Sequence, residues 1–116
     1  MTYVMGFLAA VPESNKETYR RYSEEAAKLF REYGATRCTE CWGDQVPEGK
    51  TTDFLKAVKA KDGEVVVFSW LEFPSKQEHD KAMEAMMSDP RMQALGEMPF
   101  DGKRMVYGSF DMIVDA

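Results

Sequence analysis

Histidine and cysteine are scarce in this 116-residue chain, which has one histidine and two cysteines. A structural zinc site takes four ligands, mostly from these residue types, so the sequence predicts no metal. Cys38 and Cys41 have the C-x-x-C spacing found in some redox motifs. They fall in a segment predicted to be a strand, where residues three apart face opposite ways. We therefore interpret both as reduced thiols.

Long apolar runs and clustered basic residues are also missing. No run approaches the roughly 20 apolar residues that cross a bilayer, and no basic region precedes the apolar N-terminal segment, as it would in a signal peptide. The chain has 15 basic and 20 acidic residues, for a net charge of −5. The basic residues are scattered among acids, unlike the basic patch of a nucleic-acid binder. We expect one cytoplasmic domain spanning residues 1–116, with neither nucleic acid nor membrane as a partner.

Hydrophobic patterning predicts four strands and two main helices. The strands cover residues 3–11, 36–43, 64–73 and 104–114. Their order with the helices, β-α-β-β-α-β, is that of a ferredoxin-like α+β fold, with a four-stranded antiparallel sheet and both helices on one face. Residues 44–53 read as a loop, and residues 54–60 fit either a short helix or a strand.

Capping signals mark where the helices begin and end. Ser14 and Glu17 have the spacing of a capping box, and Gly34 suits the position just after a helix. Ser75 and Glu78 form a second such pair. This second helix is expected to turn Met83, Met86 and Met87 inward, to break at Asp89-Pro90 and to resume as far as about residue 96.

The strands are apolar on both sides, whereas a sheet with helices on one face should alternate apolar and polar residues. In the third strand, Val67 and Leu71 face one way while Phe68 and Trp70 face the other. An uncovered face of this kind would be an unusually large apolar patch. We expect a homodimer formed through this face. The alternative is that residues 44–62 fold over it.

Several runs of sequence resemble the YbaA-like family of uncharacterised bacterial proteins. They are Glu40-Cys41-Trp42, residues 68–76, residues 86–92 with the Asp-Pro-Arg-Met that starts at Asp89, and residues 98–105 with the Pro-Phe-Asp-Gly-Lys-Arg-Met that starts at Pro99. The resemblance covers nearly the whole chain. It implies the dimeric α/β-barrel superfamily, in which two ferredoxin-like monomers pack sheet against sheet. It implies no function, although that superfamily includes cofactor-free monooxygenases, haem-degrading and chlorite-dismutase-like enzymes, and stress-related proteins.

Polar residues within apolar strands are the candidates for a site. They are Glu40, Ser69, Glu72 and Asp111. A carboxyl group in an apolar pocket has a raised pKa and can carry protons. The functional interpretation is a cavity between sheet and helices, with Glu40 or Glu72 catalytic and a ligand bound by Trp42, Ser69, Trp70, His79, Arg104 and Tyr107. The alternative is that the acids sit at strand ends or pair with Arg37, Arg104 or a cation of a partner chain.

The remaining candidates have simpler interpretations. His79 is expected to be solvated or to cap its helix, since one histidine is too few for a typical metal site. The methionines are expected to fill the core. Arg91 or Arg104 could hold an anionic ligand. No nucleophile–base pair and no nucleotide or cofactor motif is evident.

Two functions of different classes remain open. One is a cofactor-independent enzyme, monooxygenase- or isomerase-like, that acts on a small apolar or aromatic substrate. The other is a non-catalytic small-molecule binder or stress-associated dimeric protein.

Overall fold

The computed structural model of the chain describes all 116 residues as one sheet with helices against it. The strands are β1 (Tyr3–Pro12), β2 (Arg37–Trp42), β3 (Glu64–Phe73) and β4 (Val106–Asp111). The helices are α1 (Lys16–Tyr33), α2 (Phe54–Ala57), α3 (Lys76–Ser88) and α4 (Pro90–Gln93), with 3₁₀ turns at Glu13–Asn15 and Gly102–Arg104. The strand order is β2-β3-β1-β4 and every neighbouring pair is antiparallel. The predicted ferredoxin-like fold is confirmed.

One face of the sheet, which we call the helix face, packs against α1 and α3. Tyr19 of α1 packs on Ala9 and Val67, and Ala82 of α3 packs on Phe73, all with little or no exposed surface. Because side chains alternate along a strand, the register fixes the other members of this face. Glu40 pairs with Ser69, so both belong to it.

The opposite side, which we call the open face, is only partly covered. Val58, which follows α2, is fully buried against Ala10 and Val66 at one end of this face. The alternative in which residues 44–62 fold over the face therefore holds for that end alone. Elsewhere Phe68 and Phe110 remain 48% and 60% exposed. No helix of the chain combines the length and the hydropathy that crossing a bilayer requires.

A pair of glycines forms the floor beneath Phe110 on the open face. Gly6 of β1 lies opposite Gly108 of β4. A Cβ atom at Gly108 would lie 3.3 Å from the Phe110 ring, and one at Gly6 would lie 3.9 Å from it. Glycine here lets the aromatic ring lie close to the backbone, so the exposed ring adds apolar area without standing far from the sheet.

The helix ends agree only in part with the capping signals. Gly34 ends α1 with φ of 119°, a conformation that favours glycine. Ser75 accepts a hydrogen bond from the Glu78 N–H, as expected for its helix. The prediction for Ser14 is wrong, because residues 13–15 form a 3₁₀ turn and α1 begins at Lys16, one residue later than predicted, without a side-chain cap. Asn15 instead donates to the Pro99 carbonyl.

Three further expectations about the second half need correction. Met87 is 77% exposed, so it does not face inward with Met83 and Met86. The helix after Pro90 ends at Gln93 rather than near residue 96. The fourth strand starts at Val106 because Arg104 belongs to a 3₁₀ turn that Asp101 caps. The segment 54–60, left open between helix and strand, contains the short helix α2.

Candidate functional site

The carboxylate of Glu40 is the polar centre of the helix face. Its Oε1 accepts a hydrogen bond from the Tyr19 hydroxyl at 2.5 Å and another from the Ser69 hydroxyl. Both donors are almost completely buried. Glu40 itself lies on the edge strand β2 and is exposed as a residue. One oxygen is therefore fixed in the interior, while Oε2 makes no hydrogen bond with the protein.

Burial is the main influence on this carboxyl group. It raises the pKa of Glu40 above the ordinary value, and the hydrogen bonds from Ser69 and Tyr19 oppose that rise without cancelling it. The pKa of Tyr19 is also raised, first by burial and then by the negative charge of Glu40. Tyr19 thus remains a neutral donor over the physiological range. Glu40 is an acid whose two charge states are closer in energy near neutrality than those of a solvated glutamate.

Aromatic rings surround the Tyr19 end of this cluster. Trp42 and Phe100 lie 6.3 and 5.8 Å from the Tyr19 ring, centroid to centroid. The Lys16 ammonium lies 5.4 Å from the Trp42 ring centre, within range of a cation–π interaction. We call Tyr19, Glu40, Trp42 and Ser69 the Glu40 cluster. Its members come from α1, β2 and β3, so the packing of α1 on the sheet determines its geometry.

Glu72 and Trp70 lie apart from the Glu40 cluster. The register sets Glu72 and Trp70 on the open face, where the Trp70 indole N–H donates to Glu72 Oε2 at 2.9 Å. Arg37 lies opposite Glu72 in the register. The two candidate catalytic acids are therefore on opposite sides of the sheet. The predicted cavity between sheet and helices therefore cannot contain Glu72 and Trp70 together with Glu40 and Trp42.

Both arginines considered as anion holders are paired within the chain. Arg104 forms a two-pronged ion pair with Glu64, with both N–O distances 2.7 Å, and also bonds Asp101. Arg91 bonds Asp89 and Glu32. Asp111 is exposed at the end of β4, as the strand-end alternative expects. Tyr107 belongs to the helix face of β4 but is 67% exposed.

His79 is buried, so the expectation of a solvated or capping histidine is wrong. Its ring contacts Tyr3 and Phe73 edge-on, and both ring nitrogens have partners. Nδ1 lies 2.9 Å from Asp80 Oδ1, and Nε2 lies 3.1 Å from Ser109 Oγ. Nothing in the sequence indicated the Ser109–His79 contact, because the two residues are 30 positions apart.

The cysteines behave as predicted. Cys38 and Cys41 are both free. Cys38 packs with the helix-face core, whereas Cys41 lines a depression on the other side with Phe54 and Phe68. That depression has a volume of about 230 Å³ and is almost wholly apolar. A larger one of about 720 Å³ lies among charged side chains of residues 48–64. Neither is the predicted cavity between sheet and helices.

Tyr19 is the one member of the Glu40 cluster that the sequence did not indicate. Its helical spacing identified it only as part of an apolar face. The available signal was a hydroxyl on a residue expected to be buried, since a buried Tyr hydroxyl usually has a hydrogen-bond partner. Matching it to Glu40 requires the packing of α1 on β2, which the local pattern does not specify.

The fold and the Glu40 cluster define a ferredoxin-like α+β protein with a hydroxyl-bound carboxylate at the edge of its sheet. A family model described as a protein of unknown function, DUF1428, matches residues 2–102, and the chain belongs to that family. It is 58% identical over 116 residues to the uncharacterised protein YbaA of Escherichia coli strain K12, covering 99% of both chains. The YbaA proteins of Escherichia coli O157:H7 and Shigella flexneri match equally. The resemblance noted in the sequence is confirmed, and no function is established for the family.

A solved structure shares the fold. It is the crystal structure of a dimeric ferredoxin-like protein from an uncultured marine organism, with a TM-score of 0.59 over 99% of this chain and 98% of that one. Only 7% of the residues are identical. The likeness therefore supports the fold and carries nothing about chemistry.

Proposed function

We propose that the protein is a cofactor-independent enzyme in which Glu40 transfers a proton to or from a small apolar or aromatic substrate. The observation that carries this proposal is the asymmetric environment of one carboxylate. Oε1 is held by two buried hydroxyls, and Oε2 is unpaired within the protein. A general base needs a fixed position and a free lone pair, and this arrangement provides both.

The chemistry suited to such a group is proton abstraction next to a carbonyl. Glu40 Oε2 would take a proton from carbon, and the raised pKa of this carboxyl group makes it a better base than a solvated glutamate. Neutral hydroxyl donors hold the carboxylate without the strong acid-strengthening effect of a cation. Trp42 beside the cluster offers a flat apolar surface to an aromatic substrate.

Hydrogen–deuterium exchange into an enolisable substrate tests this function directly. We expect the wild-type protein to catalyse exchange of the α-protons of small aromatic ketones, with acetophenone as the first probe, in D₂O followed by NMR. Glu40→Gln should reduce that rate by about 100-fold or more, since it removes the base. Glu84→Gln is the matched control, because Glu84 is an exposed glutamate on α3.

Two other outcomes would count against catalysis at Glu40. Exchange at the same rate in wild type and Glu40→Gln would place the activity elsewhere. A thermal shift with the ketone but no exchange above the buffer rate would favour the non-catalytic small-molecule binder. Mass spectrometry of protein purified from its host, inspected for a retained apolar compound, would then supply the ligand class.

We further propose that the chain acts as a cytoplasmic homodimer formed through its open face. Phe68, Phe110 and Val106 are 48%, 60% and 44% exposed on this face. Apolar residues concentrated on one side of a sheet are typical of an interface. The protein from the marine organism that shares this fold is described as dimeric, which supports a homodimer here. Glu40 lies on the opposite face and is exposed, so the dimer would not cover it.

Light scattering at micromolar concentration measures this assembly. We expect a dimer for the wild type and a monomer for the double variant Phe68→Glu with Phe110→Glu, since burying two unpaired charges disfavours association. Met87→Glu is the control, because Met87 is 77% exposed but lies on α3. A wild-type monomer, or a dimer that survives the double variant, would contradict the proposal.

A further inference from the structure

A hydrogen-bonded chain of serine, histidine and aspartate lies away from the Glu40 cluster. Ser109 Oγ of β4 is 3.1 Å from His79 Nε2 of α3, and His79 Nδ1 is 2.9 Å from Asp80 Oδ1. Both distances are within the reach expected of a nucleophile, its base and the group that orients the base. The Glu40 mechanism uses none of these residues.

The imidazole ring is held in place by two neighbouring aromatic rings of the sheet. Tyr3 and Phe73 contact it edge-on, with ring centroids 4.9 and 5.4 Å away. A carboxylate can only accept a hydrogen bond, so the Asp80 contact sets the proton on Nδ1. Nε2 then has a lone pair directed at the Ser109 hydroxyl. This is the tautomer that a general base for serine requires.

Ser109 is accessible to a substrate. It is exposed, and β4 is an edge strand with no neighbour on its outer side. The Met112 N–H points toward the β1 side of the strand, where it donates to the Thr2 carbonyl. Because N–H groups alternate along a strand, the Ser109 N–H faces the outer side. An unpaired N–H on the nucleophile's own residue can stabilise a developing oxyanion.

A flat aromatic surface lies next to the serine. Tyr107 is two residues before Ser109, so both side chains stand on the same side of the sheet. Its ring is 67% exposed. A small ester with an aromatic group could rest on this ring while its carbonyl carbon approaches Ser109 Oγ.

We propose that Ser109, His79 and Asp80 form an esterase-like acyl-transfer site for small aromatic esters. Ser109 Oγ forms a bond to the acyl carbon while its proton passes to His79 Nε2. The ester C–O bond breaks, and the leaving alcohol takes that proton. Water repeats the attack on the acyl-serine, releases the carboxylic acid and returns the serine hydroxyl.

A fluorophosphonate probe tests the nucleophile without knowledge of the natural substrate. The Ser109 oxygen would bond to phosphorus and displace fluoride, which leaves a stable adduct that peptide mass spectrometry locates. We expect time-dependent modification of the wild-type protein at Ser109 alone, and none in Ser109→Ala. Ser88→Ala is the control, because Ser88 is an exposed serine that bonds only carbonyls of its own helix.

The base and its orienting group are tested by the labelling rate. His79→Gln should slow labelling by about 100-fold or more. Because His79 is buried and this variant could lose its fold, Asp80→Asn provides a second test at a side chain that is 59% exposed. It should slow labelling by about tenfold or more while circular dichroism stays unchanged. Labelling of Ser88 as fast as Ser109, or an unchanged rate in Asp80→Asn, would overturn the proposal.

Discussion

Glu40 and Glu64 are two glutamates of the same sheet with opposite electrostatics. Glu64 starts β3 and receives both prongs of the Arg104 guanidinium, together with the Lys61 N–H. These contacts lower its pKa to about 2. Glu40 receives two hydrogen bonds, both from neutral hydroxyls. Its pKa is raised because burial outweighs them.

The difference shows that a buried carboxylate behaves differently when its donors are charged and when they are neutral. A guanidinium fixes Glu64 in the ionised state, which suits a structural tie. Hydroxyls fix the position of Glu40 while leaving proton transfer within reach. One glutamate stabilises the fold, and the other is available for chemistry.

Removing Arg104 should cause the largest loss of stability among the variants that probe this contrast. Arg104 bonds Glu64, Asp101 and the Lys59 carbonyl, so its loss frees three groups at once. Urea denaturation at pH 7 should show a larger decrease in the free energy of unfolding for Arg104→Ala than for Tyr19→Phe. Arg104→Lys should fall between Arg104→Ala and wild type, because it keeps the charge but loses the two-pronged geometry.

The pH dependence of stability should differ in sign between the two glutamates. The Glu64 contribution is fully present above its ordinary pKa of 4.5 and is lost as pH falls toward about 2. Glu64→Gln should therefore flatten the decrease in stability between those values. Thermal melts taken from pH 5 to pH 2 measure it, and equal slopes in both proteins would contradict the assignment.

Glu40 should act in the opposite direction. Its folded-state pKa lies above the ordinary 4.5, so stability from this group is fully present below 4.5 and is lost as pH rises through the folded-state pKa. Relative to wild type, Glu40→Gln should be more favourable at pH 7 than at pH 4. A variant with the same relative stability at both pH values would show that burial does not raise this pKa.

The smallest expected effect is that of Tyr19→Phe. It removes one hydroxyl donor and keeps the packing of the ring on Ala9 and Val67. The cost should be about 1 kcal/mol, typical of one hydrogen bond, measured by urea denaturation. Losing a donor should also raise the pKa of Glu40 further, which NMR titration of its carboxyl carbon would detect. Tyr22→Phe is the control, since burial alone, with no hydrogen bond, raises the pKa of Tyr22.

Much of the fold was predictable because local chemistry fixes the ends of its elements. The bounds of β3 were predicted to the residue: a glycine turn with φ of 81° at Gly63 precedes it and Pro74 follows it. Gly34 ended α1 as predicted. The Ser14 prediction failed because the capping pattern also fits a 3₁₀ turn, and the Asn15 bond to Pro99 spans 84 residues. No local pattern contains that information.

The candidate site was predictable only one residue at a time. Glu40 and Ser69 stood out as polar residues in apolar strands, and the register brings them together. Alternation along β3 would also have separated Ser69 from Glu72, because residues three positions apart in a strand lie on opposite faces. Tyr19 and the His79–Ser109 contact depend on helices packing against strands that are distant in sequence.

Val58 packs the segment around α2 against the ends of the strands beneath it. It has no exposed surface, and its buried neighbours are Ala10 and Val66 of β1 and β3. Unlike the helix-face core, this small cluster protects only one end of a sheet that is otherwise apolar. Shortening residues 44–62 would expose the ends of two more strands. It would also enlarge the apolar open face, which is prone to aggregation. During evolution, insertions and deletions should therefore be tolerated less in this surface segment than in the loop that follows α4.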